Sequence, residues 1–405
     1  MEIIQSKLLA FSLFALTATS VVFYPAQQST AITSPPVMTP PENTVISRER
    51  PKVELVFVLD TTGSMSGLIE AAKEKIWSIA TTMASAQPAP EIKIGLVAFR
   101  DRGDAYVTRV TDLSSDLDSM YATLMDYRAD GGGDSPESVN QALYDAVNNI
   151  SWSQSRDAYK VVFLVGDAPP HMDYRDEVQY PQTVRVAQSK GIIINAIQAG
   201  QNGATTRQWQ QIAQLGSGDY FQVEQGGSAL AVTSPFDREL AELSALLDDT
   251  RLYYGSEAEQ AEKERKIEAT QKINEEASLA SRARRAAFNV SASGKQNLIG
   301  SNDLVDDVAS GRVDLDALDK TALPAPMAGL ALAEQEQLIK ETAKKRIELT
   351  QKIQTLSAKR GDYLKKKVEA MGVAKDDSLD MKLFDTLRSQ AAASGMMYES
   401  DTPDY

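Results

Sequence analysis

Four short apolar runs without polar alternation constrain this chain more than any other feature: VELVFVL (53 to 59), IKIGLVAF (92 to 99), KVVFLVG (160 to 166) and GIIINAIQA (191 to 199). A strand with one wet face alternates polar and apolar side chains. A strand that is apolar at consecutive positions needs cover on both faces, which helices on both sides of a parallel sheet supply. Two further runs, YVTRVT (106 to 111) and GDYFQV (218 to 223), join helix-length segments near 66 to 86, 114 to 126, 137 to 150, 177 to 190, 204 to 215 and 228 to 247. The expected class is α/β, a doubly wound and mostly parallel sheet over residues 51 to 252. The third run follows the second after only RDRGDA, too short for a crossover helix, so these two strands are expected to form an antiparallel hairpin at the sheet edge.

Outside that region the composition changes twice. Residues 8 to 23, LLAFSLFALTATSVVF, follow a lysine and are almost wholly apolar, a signal-peptide pattern that ends near YPA or STA and sets residues 1 to 31 apart as signal peptide or membrane anchor. The run falls short of the roughly 20 residues of a spanning helix. Residues 32 to 50 are rich in Pro, Ser and Thr and read as an extended linker. The chain has no cysteine, so thiolate chemistry and disulfides are excluded. Export from a bacterial cell is expected: periplasmic, surface-associated or secreted, or tethered to the inner membrane through residues 8 to 23. Past residue 252 the sequence turns to charge-rich helix formers. A helical hairpin or coiled coil is expected over 253 to 374, with a small insert at 293 to 330, then a C-terminal helix and tail over 375 to 405. Ile339, Leu349, Ile353, Leu356 and Tyr363 fall near one helical face, a stripe suited to a partner helix and to self-association. The net charge of −14 argues against a nucleic-acid partner.

The chemistry concentrates where strands end. In a doubly wound sheet, ligands bind beyond the carboxyl ends of the strands, where strand order reverses. Asp60 follows the first run, and Asp60, Thr62 and Ser64 alternate through the turn that leads into a helix, so their oxygens can converge. Asp167 follows the fourth strand, and the segment DGGGDSPESVNQAL offers Asp134 or Ser135. Hard oxygen donors at this density suit Mg²⁺ first, with Mn²⁺ or Ca²⁺ as alternatives. The plainer account is helix capping: by Ser135 with Pro136 at the first helical position, or by Asp134 with Glu137 completing a capping box. A cap accounts for one of Asp60, Thr62 and Ser64, not for three together with Asp167.

Asp60-x-Thr62-x-Ser64 after a buried strand, a Gly-rich loop before the third helix and Asp167 after the fourth strand resemble the metal-ion-dependent adhesion site of von Willebrand factor type A domains. The resemblance spans roughly residues 53 to 247. It implies a metal held by Thr62 and Ser64, with Asp60 and Asp167 bound directly or through water, and one open position filled by a carboxylate of a protein or glycan partner. The family usually has a threonine in the Gly-rich loop, whereas here the order is Gly133, Asp134, Ser135, Pro136, Glu137. Were Asp134 to join Asp60 and Asp167, the loaded site would sit near −1 and pull less on an acidic ligand. Asp101, Ser135 and His171 are expected on the ligand-selecting rim, and Arg102, Gly103 and Asp104 at the charged tip of the edge hairpin. The function expected is cation-dependent binding or adhesion, not catalysis. The rivals are an envelope assembly protein acting through its helices, and a metal-dependent hydrolase, which would need a base beyond His171.

Overall fold

The apolar runs become β1 (Lys52–Asp60), β2 (Glu91–Phe99), β3 (Thr108–Ser114), β4 (Tyr159–Gly166), β5 (Ile192–Ala199) and β6 (Ser217–Val223) in the computed structural model. It describes residues 50–133, 135–225, 232–370 and 379–398. Asp134 and the leader, anchor and most of the linker expected before residue 50 lie outside the described residues. The strands form one sheet in the order β3-β2-β1-β4-β5-β6. All neighbours are parallel except β2 and β3, the expected antiparallel edge pair. Strand order reverses between β1 and β4, so the crevice opens where Asp60 and Asp167 leave the sheet.

Successive strand residues enter opposite cores. Leu55, Leu59, Val161, Phe163 and Val165 pack on one face with α1 (Ser66–Ala84) and α2 (Leu117–Asp126). Val56, Val58, Val162 and Leu164 pack on the other with α3 (Val139–Asn148), α4 (Tyr180–Ser189) and α5 (Gly203–Leu215). Burial on both faces is why these runs carry no polar alternation. The helix expected over 228 to 247 begins later, as α6 (Asp237–Asp248).

The rear helices correct the expected hairpin. They are α7 (Glu257–Glu276), α8 (Leu279–Asn289), α9 (Lys295–Ile299), α10 (Leu304–Ala309), α11 (Leu332–Ala370) and α12 (Leu379–Ala392). The long helices α7 and α11 pack principally on other elements: α7 on α2, α8 on α1 and α6, and α11 on α6, α8 and α10. The apolar stripe of α11 is divided among several neighbours in the same chain. Ile339 joins Leu304, Leu323 and Met327. Leu349 and Ile353 join Leu240, Leu247 and Ala283, and Tyr363 lies edge-on to Phe236 at 6.3 Å. The sheet and the helices behind it form one compact unit over residues 49 to 405, without a break at residue 252. On the first core face α12 closes the sheet next to β6, adding Leu383, Leu387 and Ala391. Among the described residues, no helix is long and apolar enough to cross a membrane.

Charge also ties these layers together. Arg285 of α8 is buried between Asp118 of α2 and Asp248 of α6: Nε donates to Asp118 Oδ1 at 2.7 Å, Nη2 to Asp118 Oδ2 at 2.6 Å, and Nη1 to Asp248 Oδ2 at 2.8 Å. Burial alone would raise the Asp118 carboxyl, but the Arg285 guanidinium outweighs it and holds that carboxyl well below the usual carboxylate range.

Candidate metal centre

β1 delivers Asp60 to the crevice fully buried. Because Leu59 stands opposite Val165, Asp60 comes level with Gly166. A Cβ there would lie 2.9 Å from the Asp60 Cβ and 3.0 Å from Oδ2, so the bare glycine makes room for the carboxylate. Asp60 Oδ1 accepts the Thr62 N–H at 2.9 Å and the Thr62 hydroxyl at 2.7 Å. That local turn holds Thr62 Oγ1 3.4 Å from Ser64 Oγ. Thr62 is buried and Ser64 exposed. Neither the short turn Gly63–Met65 nor α1 has a side-chain cap bond, so capping does not account for these hydroxyls.

The Gly-rich loop is laid against this turn by its backbone. Gly63 N donates to Gly131 O at 3.1 Å and Asp130 N to Thr61 O at 3.1 Å. Gly132 has a positive φ of 72°, and a Cβ on it would sit 2.6 Å from the Thr62 Cβ and 3.0 Å from Glu137 Oε1. Glu137 is buried beside Thr62. Its main chain is clamped to the exit of β4, with Glu137 N donating to Pro169 O at 2.9 Å and His171 N to Glu137 O at 3.1 Å. Asp60 Oδ2 and Glu137 Oε2 are both buried without a hydrogen-bond partner.

Crowded carboxylates withdrawn from water resist ionisation. Burial, opposed by the Thr62 hydrogen bonds and reinforced by the charge of Asp167, pushes the Asp60 carboxyl up to about 7. Burial first, then repulsion from Asp60, Asp101, Asp104 and Asp167, pushes Glu137 up to about 9. What these groups lack is a compensating positive charge, and a divalent ion would supply it. Among the described residues no three Asp, Glu, His or Cys side chains form a ready metal cage, so the hydroxyls of Thr62 and Ser64, or water, would have to complete the shell.

Asp60, Thr62, Ser64 and Asp167 thus gather at one crevice, as their spacing predicts. Asp167 is half-buried, and its Oδ2 accepts from Gln225 Nε2 at 2.6 Å; Gln225 Nε2 also reaches Ser64 O at 3.3 Å and bridges the two strand exits. Ser135 is exposed and caps nothing, since α3 starts at Val139 behind Ser138. That corrects both capping expectations, and Glu137 lies inside the site instead.

The expected rim roles of Asp101 and His171 are also corrected, because both are 5% exposed and engaged with their neighbours. Asp101 accepts from the Ser138 hydroxyl at 2.7 Å and the Tyr174 hydroxyl at 3.0 Å. His171 Nε2 lies 3.3 Å from Asp101 Oδ2, its Nδ1 2.8 Å from Asp173 Oδ1, and its ring stacks on Tyr174 at 3.9 Å. In the hairpin tip, Asp104 turns inward and accepts the Gly132 N–H at 3.0 Å, while Arg102 is held by Glu177 at 2.8 Å and lies over the Tyr174 ring. Sequence spacing misses Glu137 and Gln225 as site residues, and places Asp104 only at the hairpin tip. Only Glu137 carries a signal, an acid next to the glycines of a strand-to-helix loop.

The profile of the von Willebrand factor A domain matches residues 54–234. Von Willebrand factor A domain-containing protein 7 of Rattus norvegicus is 40% identical over 93 residues, which are 23% of this chain and 10% of that protein. Alpha-protein kinase vwkA of Dictyostelium discoideum is 28% identical over 120 residues, 29% of this chain and 19% of that one. The chain thus spans less than a fifth (about 19% and 10%) of the length of these curated relatives. Among solved structures, proximal thread matrix protein 1 from the mussel byssus with a zinc occupied MIDAS motif aligns at 16% identity and a TM-score of 0.34, covering 43% of this chain and 42% of that one. Strand order, the Asp60 turn and the profile agree: residues 54–234 of this chain are a von Willebrand factor A domain.

Proposed function

We propose that the chain is a divalent-cation-dependent binding module. Asp60, Thr62 and Ser64, with Asp167 from the neighbouring strand exit, would hold the ion directly or through water. An oxygen of a protein or glycan partner would complete the shell. A bound ion supplies a Lewis-acidic position that no side chain offers. Asp60 divides the work between its two oxygens, Oδ1 fixing Thr62 and Oδ2 remaining for the ion. One observation carries the proposal: a fully buried carboxylate at the switch point whose second oxygen has no donor, beside two hydroxyls 3.4 Å apart. All-oxygen donors favour Mg²⁺, then Mn²⁺ or Ca²⁺. Binding is favoured over turnover because His171 is engaged by Asp101, Asp173 and Tyr174 and is not poised on Thr62 or Ser64. An exported location is part of the proposal and rests on residues 8 to 23.

The test is titration calorimetry of Mg²⁺, Mn²⁺ and Ca²⁺ into the full chain, since a cut at residue 252 would strip α7 from α2 and α8 from α1. One saturable site in the wild type, lost in Asp60→Ala with far-UV circular dichroism retained, is the expected result. No saturable binding in the wild type, or equal binding in the variant, overturns the proposal. Which kind of oxygen the partner supplies depends on the charge left once the ion is held.

A further inference from the structure

We propose that the end of the sheet opposite the crevice carries a second binding site, which takes a phosphate monoester on a hydroxylated ligand such as a sugar. It shares no residue with the crevice and does not depend on a cation there.

A cavity of about 780 Å³ lies beside the start of β4 and the approach to β5, against the last turns of α3 and α4. That volume suits a small-molecule site. Lys160 on its wall and Asp167 at the crevice are separated by the length of β4, about 20 Å.

The charges lining the cavity have one sign. Arg156, Lys160 and Lys190 line it and no Asp or Glu does, in a chain whose net charge is −14. Among the described residues, none of the three forms an ion pair with a carboxylate. Helix capping accounts for one of them: Lys190 Nζ donates to Val147 O at 2.7 Å and to Asn148 Oδ1 at 3.2 Å, a cation on the last carbonyls of α3. It does not account for Lys160, which is 6% exposed and whose Nζ makes a long bond of 3.4 Å to Lys190 O. A lysine is rarely so buried without an anionic partner. Arg156 is exposed and makes no hydrogen bond among the described residues.

The loop between α3 and β4 builds the wall and is fixed by its own contacts. Ser151 N donates to Asp112 Oδ1 at 2.8 Å, Ser153 N to Glu54 Oε2 at 2.9 Å, and Trp152 Nε1 to Ala146 O at 2.8 Å. Glu54 stands between Lys93 and Lys160 in the sheet, and the charge of Lys93 also acts on Asp112. With Lys93 set against Asp112, the three lining cations against Glu54 leave two positive charges. A phosphate monoester, at about −1.5 to −2 near neutral pH, matches that excess; a single carboxylate meets half of it. Arg156 adds a planar fork of donors suited to phosphate oxygens. The other groups suit hydroxyls. Ser151 and Gln154 are exposed on the wall, and Ser153 Oγ is buried without a partner; each can exchange hydrogen bonds with a sugar ring.

The experiment is titration calorimetry on the full chain at low ionic strength, with a chelator present so that no ion at the crevice can hold phosphate. The probes are glucose 6-phosphate, inorganic phosphate, glucuronate and glucose. Glucose 6-phosphate is expected to fill one saturable site, more tightly than the other three. That binding is expected to persist in Asp60→Ala and to weaken about 10- to 100-fold in Arg156→Gln and in Lys160→Met. Far-UV circular dichroism checks folding, and the exposed Arg156 decides the matter should the buried Lys160→Met fail to fold. No saturable binding of glucose 6-phosphate, or wild-type affinity in Arg156→Gln, overturns the site. Loss in Asp60→Ala moves the binding to the crevice and overturns it too. Inorganic phosphate binding as tightly overturns the role given to the hydroxyls, and glucuronate binding as tightly overturns the choice of phosphate.

Discussion

At the scale of single residues, Asp118 shows how one buried charge can set acid stability. Its carboxyl titrates below the unfolded value, so the stability it contributes is fully present above that value, about 3.9, and is lost as pH falls from there toward the lower folded value. Wild-type urea midpoints are therefore expected to drop below pH ~4, with a flatter profile in Asp118→Asn. At neutral pH the same substitution leaves Arg285 with half its partners, at a cost of about 3–5 kcal/mol; equilibrium unfolding measures both. Legibility also differs residue by residue. Asp60, Thr62 and Ser64 can be read from sequence because a strand end and a turn fix their direction within five residues. Glu137 cannot, because a glutamate three residues past Asp134 fits a capping box equally well, and only the position of Pro169 and Pro170 draws it inward. Asp101 and His171 look like rim residues because burial of a loop by another loop leaves no periodic trace.

Among the elements, the strands are the most legible, since continuous apolar runs have one cheap solution, a sheet covered on both faces. The edge pair β2 and β3 follows from a linker too short to cross over. The rear helices are harder to place. A stripe on α11 states that a face is covered and not by what. Ile339, Leu349 and Ile353 enter two separate cores, and the partners come from segments as distant as Leu240 and Leu304. Their charges mislead as well: Arg285, in a stretch of charge-rich helix formers, is fully buried. Ile353 is 0% exposed, so Ile353→Ala is expected to cost about 2–5 kcal/mol. Because α11 packs on α6 and α8 rather than forming a module of its own, that cost is expected in a single transition shared with the sheet. Intrinsic tryptophan fluorescence and far-UV circular dichroism should report the same shifted midpoint, and a separate early transition for the helices would contradict the packing described.

For the molecule as a whole, the change of composition near residue 252 suggests a boundary that packing does not respect. Charge-rich helices lie against α1, α2 and α6 through small residues and ion pairs, so one folded unit holds both halves. An ion bound at the sheet crest therefore stabilises the entire unit. Saturation at about one hundred times Kd is expected to add about 2.7 kcal/mol. Scanning calorimetry with Mn²⁺ and after chelation should show the shift in wild type and none in Asp60→Ala.

The position of α12 has a consequence in time. Leu383 and Leu387 complete a core whose strand, α1 and α2 residues, from Val53 to Val223, are synthesised first, with Ile273 and Phe288 following. At ordinary translation rates the interval between Val223 and Leu383 is on the order of ten to thirty seconds. Through that interval the face already covered by α1 and α2 stays open beside β6, and its last wall closes by a contact of long sequence separation, the slow kind to form. The nascent chain must therefore keep a half-roofed sheet from pairing with its neighbours, and a stalled or shortened product would be prone to aggregate long before any partner could test its crevice.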